Sequence, residues 1–366
     1  NIITSTPNLK LYTINTDVSG SSVVFGKTTG GNYTSIKVVG SAAKPSFVAL
    51  NADGGTLSFV KISEDDEGAL YRLRPTELAN ISFVPKMSVT LASDFIANIY
   101  VPKEDYLLSL ELDGVSQSLE ALELKNIDGK DYYLIKVPLV ASEAARDVVL
   151  KAGISLAQKN ASATFSFSIP KYAEKLLDSD SMNVEKTLIS DSLSYIKYAY
   201  IYFDADDKDE AIAKIEKVIG DHVGSLVVEG SGAEPTEGLL AASFVLGATP
   251  AVRFYIPDGA SADEYGFYVD GTKVKDISVG CDDNGAYIDV KLYAYKMCEE
   301  ITYSIGGEEI GSYHINSYYE FAKTKNDKSL VDVVRSFWIY CQSARRYKAA
   351  FSVVNGEFNP VATVVN

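Results

Sequence analysis

Along residues 1 to about 78, apolar and polar positions alternate in short runs, LKLYTIN, SSVVFG, TSIKVV, SFVAL and TLSFVKI, broken by GG, DGG and Ser/Thr-rich stretches. A period of two puts successive side chains on opposite faces of a strand, and Gly, Asp and Asn supply the turns between strands. A small all-β domain over residues 1–79 is the expectation. From about residue 80 the pattern changes. Strand-like runs lead into two segments whose apolar positions recur at spacings of three and four, and the whole succession then occurs a second time.

The second occurrence can be followed piece by piece. FIANIYVPKEDY (95–106) matches AVRFYIPDGASADEY (251–265), each a strand ending in Val/Ile-Pro. LSLELDG (108–114) matches YGFYVDG (265–271), and both end in the Asp-Gly pair that favours a tight hairpin. IDGKDYYLIKVPL (127–139) matches DDNGAYIDVKLYAY (282–295). FSIPKYAEKLL (167–177) then corresponds to YHINSYYEFAK (313–323), and LISDSLSYIKYAY (188–200) to LVDVVRSFWIYCQ (330–342), so that Ser194, Tyr195 and Tyr198 meet Ser336, Phe337 and Tyr340.

The predicted fold is mostly β with appended helices (α+β): an N-terminal β-domain, then two repeated Ig-like β-sandwich units, each ending in a helical hairpin. The boundaries are 1–79, 80–204 for the first unit, 205–239 for a connecting helix and linker, 240–350 for the second unit, and 351–366 for a C-terminal strand segment. Ser168 is placed to cap a helix with Pro170 at its first helical position, and Asn316 or Ser317 to cap the corresponding one. Leu330, Val333, Val334, Phe337, Trp338, Cys341 and Ala344 form one apolar stripe, for which the preceding sheet or the shorter helix is the nearest cover. In ADDKDEAIAKIEKVIGDHVG (205–224), Asp206 or Asp207 stands at the cap of the connecting helix.

Charge narrows the function classes. With 49 acidic against 34 basic side chains the net charge is -15, which repels phosphate backbones and anionic lipid surfaces except where a local basic patch intervenes. Nucleic acid is therefore not an expected partner. No run approaches the roughly 18 apolar residues that span a bilayer, so no membrane insertion is expected. The chain opens on Asn1 with no charged-then-apolar leader, as a processed or excised chain would. Cys281, Cys298 and Cys341 are odd in number and lack CxxC spacing, which points to free, partly buried thiols.

Catalytic material is sparse. Only two histidines are present, His222 after the connecting helix, where it faces that helix's negative end, and His314 in a strand before a helix; both read as structural. Cys341 lies on the apolar stripe and reads as an inert core thiol. DADDKDE (204–210) resembles the start of a calcium loop but has Asp209 where Gly belongs and Ile215 where Glu belongs. GKTTGGN (26–32) lacks the order of a phosphate loop and reads as a hairpin turn. No pair of carboxylates in an apolar setting suggests a glycosidase. No catalytic residue, metal or cofactor is expected.

The aromatic and cationic residues point instead to binding. There are 24 tyrosines, and a tyrosine face on a sheet can stack a sugar ring while its hydroxyl hydrogen-bonds; Tyr132, Tyr133, Tyr287, Tyr293 and Tyr295 are the candidate glycan contacts. Arg345, Arg346 and Lys348 in the last turn of the final helix form a candidate exposed contact surface.

The string WIYCQSARRYK (338–348), after SLVDVVRSF and a strand entering YHINSYYEF, resembles a module repeated in secreted and cell-surface proteins of anaerobic Gram-positive gut bacteria. That module's long helix carries the theme Leu-Asn-Tyr-Gly-Ala-x-Ala-Gln-x-Tyr. Tyr340, Ala344 and Tyr347 stand at matching positions, Cys341 replaces Gly and Arg345 replaces Gln; in the first copy Tyr198 is retained. The resemblance covers residues 80–204 and 240–350 and implies an extracellular setting, beside dockerins, carbohydrate-binding domains or wall anchors. The expectation is a secreted or surface protein of structural, adhesive or scaffolding character, without catalytic activity, whose partners are other surface modules or extracellular glycans. The terminal strands also suggest self-assembly by strand addition. The alternative is a carbohydrate-binding protein of a polysaccharide-degrading system, using Tyr-rich sheet faces.

Overall fold

The structure is a computed structural model. It describes the strands within residues 2–75 and residues 83–91, 95–156, 159–228, 237–246 and 250–350, with side chains from Phe83 onward outside 155–161. The C-terminal strand segment predicted over 351–366 and most of the linker EGSGAEPTEG lie outside the described residues. By contact the chain forms two compact units, residues 1–84 with 154–161, and residues 85–153 with 162–366.

In the first unit, β1 (Ile2–Thr6), β2 (Leu9–Thr13), β3 (Ser22–Lys27), β4 (Tyr33–Val39), β5 (Phe47–Asn51), β6 (Thr56–Asp65) and β7 (Gly68–Pro75) form a seven-stranded sheet in the order β1-β2-β5-β6-β7-β4-β3. β3 and β4, which flank GKTTGGN, pair antiparallel.

Residues 86–167 hold eight strands, β8 (Lys86–Leu91), β9 (Phe95–Pro102), β10 (Leu107–Leu112), β11 (Val115–Gln117), β12 (Glu123–Ile127), β13 (Lys130–Leu139), β14 (Val148–Leu156) and β15 (Lys159–Phe167). They make two four-stranded sheets, β8-β9-β13-β12 and β11-β10-β14-β15. Helices α1 (Ile169–Asp178), α2 (Asn183–Tyr202) and α3 (Lys208–Ile219) follow. Eight more strands come next: β16 (Ala241–Val245), β17 (Ala251–Tyr255), β18 (Tyr265–Val269), β19 (Thr272–Lys273), β20 (Ile277–Asp282), β21 (Gly285–Lys291), β22 (Ile301–Ile305) and β23 (Glu308–Tyr313). Their sheets run β16-β17-β21-β20 and β19-β18-β22-β23, before α4 (Ile315–Thr324) and α5 (Lys328–Ala350). The two sets of orders correspond strand for strand. The chain is α+β, with antiparallel sheets and, among the described residues, five α-helices.

Local chemistry explains the joints. Asp113 and Gly114 turn β10 into β11, and Asp270 and Gly271 turn β18 into β19, all four with φ between 47° and 82°. Two consecutive left-handed residues give the hairpin turn whose twist suits paired strands, and Asp-Gly tolerates it. Phe254 of β17 stacks on Phe267 of β18 at 4.7 Å and meets Tyr313 of β23 edge-on at 5.7 Å, so the two later sheets face each other across these rings.

Helix caps follow the sequence in part. Ser168 accepts from the Lys171 amide at 3.4 Å with Pro170 in the first turn. In α4 the cap is His314 rather than Asn316 or Ser317: its Nδ1 accepts the Asn316 N–H at 3.0 Å while Nε2 donates to the Cys298 carbonyl at 2.9 Å. The imidazole reaches the first-turn amide because its backbone is still extended, whereas Asn316 and Ser317 already lie within the helix. Asp207 does precede α3, but its side chain makes no cap bond.

The apolar stripe of α5 is covered by the preceding sheet and the shorter helix, as Trp338 against Tyr319 of α4 shows, and by the other helical hairpin as well. Phe337 meets Tyr195 of α2 edge-on at 5.0 Å, and Tyr340 stacks parallel to the same ring at 5.9 Å. Phe95 of β9 stacks on Tyr340 at 5.6 Å, and Phe244 of β16 lies 4.8 Å from Phe337. The two long helices thus share one aromatic core, with Tyr195, Phe337, Trp338 and Cys341 all at most 1% exposed.

Asp147 ties three elements at the edge of this core, accepting from Lys171 of α1 at 2.8 Å and from Lys214 of α3 at 3.1 Å. Partial burial alone would raise its pKa, but hydrogen bonds from Lys171, Lys214 and Ser166 outweigh that and hold the carboxyl below its usual value. A carboxyl with a lowered folded pKa adds stability that is present above the unfolded value of about 3.9 and is lost as pH falls through the folded value. Acid unfolding of Asp147→Asn, followed by circular dichroism, should therefore show a shallower loss of stability below about pH 4 than the parent chain. An unchanged acid limb would remove Asp147 as a contributor.

Candidate functional site

Three clefts in the second unit bring polar chemistry together. The first lies where the segment after α3 crosses α2 and α5. Asp191, on α2, is 1% exposed; His222 Nε2 lies 2.8 Å from its Oδ1, and the Ser343 hydroxyl of α5 binds its Oδ2. Arg346 Nη2 donates to the Ser343 hydroxyl at 3.0 Å. Together with Thr187 and Ser225 these residues line a cavity of about 420 Å³.

The order of these groups decides what they can do. In nucleophilic catalysis the imidazole stands between hydroxyl and carboxylate, taking the proton from the one and being oriented by the other. Here the carboxylate stands between, and the hydroxyl is bound to Asp191 rather than to His222. The arrangement fastens the crossing segment instead. Gln342 grips the Val227 backbone at both N–H and C=O, and Arg335 donates to the Gly224 carbonyl at 3.4 Å. A Cβ on Gly224 would come within 2.4 Å of both Asp191 Oδ1 and Ile339 Cγ2, so only glycine lets the chain pass this close. His222 therefore answers to a buried carboxylate on α2, not to the end of α3; with His222 31 positions after Asp191, no local motif links them.

The second cleft, about 530 Å³, lies between β16 and α4 and is lined by Tyr255, Tyr313, Tyr318, Phe321, Ser243 and Asn284. Beside it Arg253 forks onto both Asp289 oxygens at 2.7 and 2.9 Å and onto Asp282 at 2.9 Å, with its guanidinium 3.5 Å over the Tyr287 ring. The Tyr255 hydroxyl donates to Asp282 at 3.0 Å. The Asn284 backbone N–H, then Tyr255 and Arg253, hold the Asp282 carboxyl below its usual pKa.

The third lies between the β19 hairpin and the crossover from β21 to β22. Its volume is about 280 Å³, and Lys273, Lys275, Lys291 and Lys296 line it with Asp276 and Tyr293. Tyr293 and Tyr295 stack at 5.5 Å with 8° between their planes, and the Lys348 ammonium sits 4.0 Å over the Tyr295 ring.

The residues singled out in the sequence are thus distributed. Tyr293, Tyr295 and Lys348 come together. Tyr287 is partly buried with one face against Arg253. Tyr132 is buried in a cluster with Tyr100 and Leu134, Lys86 lying 5.6 Å over its ring, and offers no open face; Tyr133 is partly buried on the neighbouring position of β13. Arg345 pairs with Glu299 at 3.3 Å, and Arg346 turns toward Ser343 at the first cavity. The sequence signal for the third cleft was TKVKD next to LYAYK, two short basic runs that only the sheet order brings together.

Asp204, first donor of the calcium-like stretch, is paired with Lys208. Among the described residues no group of three His, Cys, Asp or Glu side chains is placed to hold a metal ion, and no helix is long and apolar enough to cross a membrane. Burial, with Cys298 alongside, pushes the Cys341 thiol well above its usual pKa, while Cys281 is exposed. Iodoacetamide on the native chain at pH 8 should therefore label Cys281 alone, with Cys298 and Cys341 labelled only in denaturant; mass spectrometry showing native labelling of Cys341 would contradict its burial. Comparison with known proteins finds no matching family model, no matching curated protein and no matching solved structure.

Proposed function

We propose that the chain is a non-catalytic, extracellular structural module of a bacterial surface protein, in which two Ig-like sandwich units, each closed by a helical hairpin, act as one rigid scaffold for adhesion or for neighbouring domains. The observation that carries this reading is the shared core of the two hairpins, with Tyr195 of one against Phe337 and Tyr340 of the other. Modules joined through large apolar contacts hold a fixed geometry, whereas linked domains without them move independently. The segment of residues 220–228, laced onto α2 and α5 by His222, Arg335 and Gln342, adds to that rigidity. Antibodies raised against residues 85–350 should label intact cells that express the protein natively. Labelling only after lysis would overturn the extracellular reading, and turnover of glycoside, ester or peptide substrates by the purified chain would overturn the non-catalytic one.

A second reading, glycan binding, is favoured by the stacked pair at Tyr293, a residue that is 51% exposed and the most exposed tyrosine among the described residues. A flat, exposed aromatic face is what a sugar ring stacks on. Binding of any oligosaccharide that is lost in Tyr293→Ala would support it.

A further inference from the structure

The lysines of the third cleft are unusual for this chain. Acids outnumber cations by 49 to 34 in the sequence, yet four lysines share a cleft of about 280 Å³ with a single acid, Asp276. None of the four forms a side-chain ion pair with a described residue. Many of the cations described elsewhere are paired, as Lys171 and Lys214 are with Asp147 or Arg253 with Asp289. Like charges crowded without counter-ions repel one another, so the fold gains nothing by gathering them.

The first half of the unit provides an internal control. By strand order the β10–β11 hairpin is the equivalent of the β18–β19 hairpin, and the crossover Leu139–Glu143 the equivalent of Leu292–Lys296. The packing positions agree: Leu139 and Leu292 are 3% and 4% exposed, and Ala141 and Ala294, each opening a short 3-10 turn, are buried. The outward positions do not. Where the later hairpin has Lys273 and Lys275, the earlier one has Ser116 and Ser118. Where the later crossover has Lys291, Tyr293, Tyr295 and Lys296, the earlier one has Pro138, Val140, Ser142 and Glu143. With Tyr195 set on Phe337, the counterpart of Lys348 is Asp206. The same backbone is built with none of these cations or rings, so folding does not require them.

Their geometry suits one class of ligand. Lys348 and Tyr293 both lie against the Tyr295 ring, and Tyr293 itself lines the lysine cleft. An exposed ring beside several ammonium groups matches a sugar ring bearing anionic substituents, stacked on its apolar face and ion-paired at its edge. We propose that this cleft binds an acidic sugar chain, carrying carboxylate or sulfate groups, with Tyr293 as the stacking platform and Lys273, Lys275, Lys291 and Lys296 as anion contacts. The proposal deepens the glycan-binding reading and rests on it for the stacking.

The test is calorimetric titration of the full chain with four probes of matched length: oligogalacturonate for carboxylate, heparin oligosaccharide for sulfate, maltohexaose as neutral sugar, and oligothymidylate as a non-sugar polyanion. Binding of at least one acidic sugar is expected, weakening as NaCl rises, with maltohexaose and oligothymidylate at least about tenfold weaker. Tyr293→Ala should weaken it about tenfold. The double variant Lys291→Gln, Lys296→Gln should flatten its salt dependence, and Lys103→Gln, on the other half, should change nothing. All three should melt with the parent chain, since the substituted side chains are surface-borne. Equal affinity for maltohexaose would overturn the acidic assignment and leave glycan binding standing. Equal affinity for oligothymidylate would reduce the cleft to a general polyanion site and overturn the proposal. Binding of none of the four would overturn both.

Discussion

Trp338→Ala is expected to destabilise the second unit by about 3–5 kcal/mol, the usual range for emptying a large buried aromatic position. The indole is fully buried, with His314 edge-on at 5.8 Å and Tyr319 edge-on at 5.7 Å. Its backbone carbonyl accepts from the Cys298 thiol at 3.8 Å, so the gap would open between α4, α5 and the crossover before β22. The indole Nε1 has no hydrogen-bond partner among the described residues, so no polar bond is lost with the ring. Trp338→Phe should consequently cost less than the alanine variant, the difference tracking the residual cavity. Urea unfolding followed by far-UV circular dichroism measures both. A parent-like midpoint for the alanine variant would contradict the burial and restore Trp338 as a surface or ligand-binding residue.

Tyr195→Ala is expected to cost a similar amount, about 3–5 kcal/mol, and to change the character of unfolding as well. Tyr195 lies against Phe95, Phe337 and Tyr340 at 5.0 to 6.0 Å, the last two from the other helical hairpin. Burial drives its phenol pKa far above the ordinary value, as expected of a ring closed off from water. With the ring removed, the two halves lose their central shared contact, and a single cooperative transition should separate into two. Tyr195→Phe should stay within about 1 kcal/mol of the parent, since shape and volume are kept. Two probes reporting on different halves, such as fluorophores on Cys281 and on a cysteine introduced at Ser116, would detect the separation. Coincident transitions in Tyr195→Ala would show that the halves are held together elsewhere.

What could be read from the sequence was what short-range chemistry encodes. Asp113-Gly114 and Asp270-Gly271 announce hairpins because left-handed φ values are needed in the turn itself, and both turns are present. Ser168 with Pro170 announces a helix start because a serine hydroxyl can accept a first-turn amide and proline fits the first turn. The stripe through Phe337 was legible as a buried face, but periodicity carries no address for the partner. The ring it meets, Tyr195, is 142 residues away on a helix of the other half. His314 was missed as a cap because an imidazole is an uncommon acceptor there. The Asp191–His222–Ser343 cluster was missed because its members belong to three elements with no spacing in common. Tyr132 was a poor glycan candidate for a related reason: alternation along β13 assigns faces, but it does not say which face the rest of the unit covers.

Tyr195 and Phe337 hold equivalent places in their helices, and they touch each other. Contact between like positions is what two identical subunits make across a dyad, and in a dimer its strength would depend on dilution. Here both halves belong to one polypeptide, and tethering of this kind sets a local concentration in the millimolar range for short flexible connections. The melting temperature should not vary with protein concentration. Nor do the halves have to stay alike: as long as the contacting rings are kept, a difference such as Glu143 against Lys296 alters the surface of one half without a matching change on the other, so the chain can carry a one-sided surface.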